Sequence, residues 1–430
     1  MKVTLIADSC FLFEHDGIRI LTDPWIGKTV AGGSWIQFPP PTISASEIGR
    51  LDYIFISHIH EDHCQLSTIK ELDRNASIVL LDRHPNFVAN FLNYHQLEFK
   101  SIITVKLREK YCIGSNFYLE PVEADPNHSL NNLIDSSLLL HYSDKTIYFG
   151  NDNPPYPGID EYLCRYNFEL AILPPVGGSG YPAFYSNLSK DEKLVASNTI
   201  ISMYHAELAD CLNRLRPKLF ACAANGHVLS GKNAWMNQLM SWPSNANSPF
   251  LYLSKLDTKL YSKPMLINPG ITINLDDYSG ATLTEAITFY DNKSARDQFI
   301  SEIASKEPYF YESFQLQPSV SFEKLLTLSY ERLCKHLKAN QINLPWSFNI
   351  AYPQDKVCSI SLQPPYPISL DSVISNDNRL VISCDPRVLY FLLTGGFSWN
   401  IADATGFITY NRLPDQYIYD MYIALNHLRI

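Results

Sequence analysis

Between residues 54 and 65 the chain reads "IFISHIHEDHCQ", which sets three histidines and two acids within six positions: His58, His60, Glu61, Asp62 and His63. Three of the chain's 12 histidines stand here, so a solvated polar loop is a poor explanation. Imidazole nitrogen and carboxylate oxygen together suit a borderline or hard divalent cation. Ile54, Phe55, Ile56 and Ser57 read as a buried strand running into a turn, and alternating residues at such a tip can point to one centre. On this reading His58 and His60 share one cation while Asp62 and His63 face a second. Two neighbouring cations can activate water and polarise a substrate oxygen. The plain alternative is a loop whose histidines make ordinary hydrogen bonds.

The elements that must position this cluster are legible as alternating patterns. "KVTLIA", "FLFEHDGIRILTDPW", "YIFISH", "SIVLLD", "FYLEPVEA", "SSLLLHYSDKTIYFG" and "LAILPP" all have strand character. Asp16-Gly17 and Ser143-Asp144-Lys145 read as hairpin turns. Helical patterns intervene, as in "QLSTIKELDR", where Ser67 is placed to cap, and in residues 200 to 217, ended by Pro217. Strands mixed with helices predict an α/β architecture with sheets covered by helices. After residue 280 come two helical stretches and then a strand-rich tail, so the expected division is 1–280 for a metal-binding domain and 281–430 for a helical segment plus an α+β domain.

Composition limits the choice of function. Apolar residues make up 46% and charged residues 18% of the 430 positions, ordinary values for a folded chain. The net charge of −10 disfavours a general nucleic-acid binder, which needs a basic face for phosphates. Nine cysteines without a Cys-x-x-Cys pair indicate neither a disulfide framework nor a zinc ribbon. The N-terminus reads as a first strand rather than a signal peptide, and no apolar run approaches the ~20 residues that span a bilayer. A reduced, cytoplasmic protein with no membrane span is expected.

The spacing His-x-His-x-Asp-His resembles the signature of the metallo-β-lactamase superfamily. Upstream, "GIRILTDPW" looks like the strand ending in Asp-Pro-Trp of the branch with L-ascorbate-6-phosphate lactonase and N-acyl-phosphatidylethanolamine phospholipase D. The resemblance implies an αββα sandwich and about two divalent metals per chain (Zn, Mn or Fe). Their ligands would be His58, His60, Asp62, His63, His128 in "EADPNHSL", Asp152 in "TIYFGNDN" and a last histidine. His227, after the apolar "KLFACAANG", fits that last place. His205, within a helical pattern, competes with it. By the same resemblance Asp23 buttresses the histidine loop.

"DPWIGKTVAGGSWIQFPPP", "IDSSLLLHYSDKTIYFGND", "GGSGYPAFY" and "VLYFLLTGGFSWNIADATGFITYNRLPDQY" are similar to the cytidine-monophosphate N-acetylneuraminate hydroxylase family, whose C-terminal part is sterol-carrier-like. Those hydroxylases bind a Rieske cluster through paired Cys-x-His and Cys-x-x-His motifs. This sequence holds no such pair, so no Rieske cluster is expected in it. The leading expectation is a metal-dependent hydrolase of a small molecule. In it Asp62 or Asp152 would orient a metal-activated water, and Ser179 and Tyr181 of the Gly-rich loop would touch substrate. An iron-dependent oxygenase on the same ligands, fed by a separate electron-transfer partner, is the alternative. A binding protein that keeps the fold without catalysis is a third reading, and a homodimer is compatible with the aromatic tail.

Overall fold

The computed structural model describes residues 1–126, 136–153, 155–175, 177–223, 226–241, 249–255, 261–265, 267–280, 293–374 and 376–430. Two seven-stranded sheets lie face to face. The first runs in the order Thr272–Asn274, Lys2–Ala7, Cys10–His15, Ile18–Thr22, Tyr53–Phe55, Ser77–Leu81 and Ser101–Val105. The second runs Lys263–Pro264, Leu219–Cys222, Phe168–Leu173, Lys145–Phe149, Ser136–Tyr142, Phe117–Glu123 and Tyr111–Gly114. Both expected hairpin turns are present, closing His15 on Ile18 and Tyr142 on Lys145.

Strand periodicity explains why the sheets stack. In Cys10–His15, Phe11 and Phe13 point between the sheets, where they meet Phe149, while Cys10 and Leu12 face the outer helices. Burial of both faces produces a near-continuous apolar run instead of a polar alternation. Leu66–Glu71 and Phe87–Tyr94 cover the first sheet through Ile69, Val88 and Leu92. Asp160–Leu163, Lys190–Leu215 and Pro249–Ser254 cover the second through Leu163, Leu212 and Leu253. This is the αββα layering expected from the sequence.

Two helix starts differ from expectation. The helix after the histidines begins at Leu66 with Gln65 as its N-cap, so Ser67 lies inside it and does not cap. Long-range contacts set that entry, because Gln65 donates its backbone N–H to Pro24 and accepts from Gly27. The long helix begins at Lys190, ten residues before the sequence pattern suggested, where Ser189 and Glu192 form a capping box.

Strand direction places the functional edge. Lys2–Ala7 and Ile18–Thr22 are each antiparallel to the strand between them, so they run the same way. Tyr53–Phe55 is parallel to Ile18–Thr22. The C-terminal ends of all three strands therefore open on one edge, and the next residues beyond them include Asp8, Asp23 and His58.

The C-terminal unit has its own core. Its five strands, ordered Ile368–Ser369, Lys356–Ser361, Ser347–Tyr352, Arg379–Cys384 and Ile408–Leu413, pack beneath Phe322–Ala339, Pro386–Thr394 and Tyr419–Leu425. Leu326, Leu333 and Leu337 recur on one helix face and bury against Phe348, Ile350, Leu380 and Ile382. Two seams join this unit to the sandwich. Ser34 Oγ, Trp35 Nε1 and Asn233 Nδ2 donate to the carbonyls of Thr405, Ala404 and Gly406 at 2.7, 3.0 and 2.7 Å. The other seam adds residues 184–186 alongside Ile408–Leu413 through Tyr410 N to Phe184 O and Ser186 N to Tyr410 O. No helix among the described residues is long and apolar enough to cross a membrane.

Candidate metal centre

Asp23 organises the site. Its carboxylate has no exposed surface, and a buried ionised group costs several kcal/mol unless it is hydrogen-bonded. Three partners meet that need. Oδ1 accepts from Ser57 N at 2.7 Å, and Oδ2 accepts from Ser57 Oγ at 2.8 Å and contacts His63 Nδ1 at 2.9 Å. Ser57 Oγ also lies 2.8 Å from His58 Nδ1. One aspartate, directly and through one serine, thus fixes the Nδ1 side of two imidazoles and turns both Nε2 atoms the other way.

Asp152 waits on that other side. It follows the second-sheet strand Lys145–Phe149, and its oxygens lie 3.6 Å from His58 Nε2 and 3.2 Å from His63 Nε2. One ligand atom from each of His58, His63 and Asp152 falls within 4.8 Å of the others. His60 Nδ1 is 3.0 Å from His58 Nε2, and Asp62 Oδ2 is 3.5 Å from His63 Nε2. His227 enters from the short sheet it forms with Trp35–Gln37 and Thr29–Val30, with Trp35 stacked on it at 4.8 Å and 25°. It interacts electrostatically with Asp62, Asp152 and His63.

The charges here are strongly interdependent. Burial opposes a charge on His63, but Asp152, Asp62 and Asp23 outweigh it and hold its proton well above the ordinary range. Burial likewise opposes the Asp62 carboxylate, yet His63, His60 and His227 hold it well below the usual range. His58 is kept neutral by burial and by its two neighbouring imidazoles, and burial lowers His227 to about 4. Burial and the nearby Asp62 push Asp8 up to about 7. A cation fits this donor set: His63 Nε2 and Asp62 Oδ1 are buried without a hydrogen-bond partner, and three carboxylates, Asp152, Asp62 and Asp23, converge on the His63 ring.

The structure brings together His58, His60, Asp62, His63, Asp152, Asp23 and His227. His128 lies outside the described residues. His205 sits on the helix Lys190–Leu215 against the ring of Tyr252, 5.4 Å away. Ser179 and Tyr181 direct their contacts elsewhere: Ser179 Oγ accepts from Tyr181 N, and the Tyr181 hydroxyl donates to Asp415 at 2.7 Å beneath the Arg412 guanidinium. Sequence reasoning missed Asp8, Trp35 and Asn400. Asn400, on the C-terminal helix Trp399–Asp403, is in polar contact with His60.

The β-lactamase superfamily domain matches residues 2–126. Over residues 2–126 the chain is thus similar to the β-lactamase superfamily. A protein of Mycobacterium tuberculosis described as a Rieske 2Fe-2S iron–sulfur protein is 30% identical over 192 residues, which are 43% of this chain and 36% of that protein. Cytidine monophosphate-N-acetylneuraminic acid hydroxylase of Cricetulus griseus is 32% identical over 75 residues, 17% of this chain and 13% of the hydroxylase. The chain thus matches well under two thirds of the length of these curated relatives. A metallo hydrolase of Ignicoccus hospitalis superposes with a TM-score of 0.40 at 16% identity, covering 63% of this chain and 97% of that one.

Proposed function

We propose that this protein is a member of the metallo-β-lactamase superfamily and a metal-dependent hydrolase that acts on a small ester, lactone, amide or phosphodiester at the edge shared by the two sheets. The observation that carries the reading is the convergence of His58, His63 and Asp152 with a buried His63 Nε2 that has no hydrogen-bond partner. His58, His60, His63 and Asp152 would hold one divalent metal, and Asp62 with His227 a second. Such metals act as Lewis acids and bring the pKa of water toward neutrality. The chain's own part is orientation. Asp23 and Ser57 fix the imidazoles, while Asp62, kept ionised by three histidines, would accept a hydrogen from the attacking water.

Elemental analysis of protein purified without added metal tests this. Zinc or manganese near two per chain is expected, and His58→Ala should lose both metal and turnover. Folded wild-type protein that neither retains nor takes up these metals would overturn the proposal.

The hydroxylase name of the Cricetulus relative favours a second reading, an iron-dependent oxygenase on the same ligands with electrons from a separate protein. Stoichiometric iron, with an optical change on adding reductant and O₂, would select it.

A further inference from the structure

Asp8 repeats the arrangement of Asp23 one histidine away. Both aspartates follow a buried strand of the first sheet, on the same edge, and both take a left-handed backbone, with φ of 44° and 39°. Such a conformation is uncommon for a residue with a side chain. In each, Oδ1 accepts at 2.7 Å from a backbone N–H at the start of a histidine segment: Ser57, before His58, for Asp23, and Gly226, before His227, for Asp8. In each, Oδ2 turns to an Nδ1 atom, of His63 at 2.9 Å and of His227 at 3.9 Å. The Asp8 side chain is 1% exposed, and its Oδ2 has no hydrogen-bond partner. Leaving a buried carboxylate oxygen in this state is costly without a charge or donor to face.

We propose that Asp8 is the positioning residue for His227. It fixes the hydrogen on Nδ1 and leaves Nε2 as the liganding nitrogen, as Asp23 does for His63. The inference rests on the metal-site reading above and adds a specific role within it. Trp35, stacked on the His227 ring, restricts the remaining rotation, so the carboxylate decides which ring nitrogen is presented.

Cobalt(II) titration of the full chain, followed by visible absorption, tests the role. Asp8→Asn is expected to weaken cobalt binding about 10- to 100-fold. His227→Ala should cause a similar loss, and the double variant should be no worse than His227→Ala alone. An Asp8→Asn loss that persists in full on the His227→Ala background would overturn the proposal. So would unchanged cobalt affinity in folded Asp8→Asn. A wild-type chain that takes up no cobalt would instead sink the metal reading itself. A measurement without substitution covers the case in which Asp8→Asn does not fold. The ¹⁵N imidazole shifts of zinc-loaded wild type should show His227 protonated at Nδ1, and a proton at Nε2 would refute the role.

Discussion

At the scale of single residues, the carboxylate of Asp23 bonds Ser57 and His63 at once, so its loss should be felt at the metal rather than in the core. Asp23→Asn keeps the volume but gives up one acceptor oxygen. We expect metal affinity to fall about 10- to 100-fold by competition with a chromophoric chelator, with the fold retained. His205→Ala should leave metal binding unchanged, because His205 packs on Tyr252 within the helical layer. The same residues show what the sequence could reveal. His58, His60, Asp62 and His63 were legible because four metal-ligating side chains crowd one strand tip. Asp152 was legible because a carboxylate directly after a buried strand has few other uses. Asp8 obeys that same rule after Lys2–Ala7, but in the sequence it stands alone, with no histidine beside it. Only its distance to His227, 219 positions along the chain, reveals its place. Asn400 carries no pattern of its own and became visible only through the packing of the two units.

At the scale of elements, the inner strands and the hairpins are legible in the sequence, because strands such as Lys2–Ala7 and Ser77–Leu81 are buried on both faces and read as apolar runs. The edge strand Ser101–Val105, by contrast, is largely exposed. Helix boundaries were read less well. The start at Ser189 was written in the sequence as a capping box, but the apolar repeat that signals a helix begins only near residue 200. The start at Gln65 depends on Gly27 and Pro24, which no local pattern encodes. The Gly-rich segment "GGSGYP" illustrates a further limit. It reads as a substrate loop or as a plain Gly-rich turn, while its contacts run to the C-terminal unit. A Cβ at Gly180 would run into the Asp403 carbonyl and the Phe184 ring. Gly180→Ala should therefore loosen this seam. Limited proteolysis is expected to cleave the variant faster near residues 177–190, with the circular dichroism of the sandwich preserved.

At the scale of the whole molecule, the two units meet over buried charge. Burial pushes Asp403 up to about 6 from its ordinary 3.8, while the Tyr410 hydroxyl and Arg412 act to lower it. A carboxyl raised on folding binds its proton more tightly in the folded chain. Folding is therefore unpenalised below pH 4 and loses stability as pH rises from about 4 to 6, with the loss persisting above. The shift corresponds to roughly 2–3 kcal/mol. Asp403→Asn should thus melt higher than wild type at pH 7.5 and close to it at pH 4, a difference that thermal melts at the two pH values would read. Equal melting differences at both values would contradict this account.

Trp35 stacks its ring on His227 and donates its indole N–H to Ala404 of the C-terminal unit. One rigid side chain thereby touches both the last candidate ligand and the interface. Prising the C-terminal unit away must tilt the indole and unsettle the imidazole beneath it. By reciprocity, whatever anchors that imidazole also clamps the two halves of the molecule together.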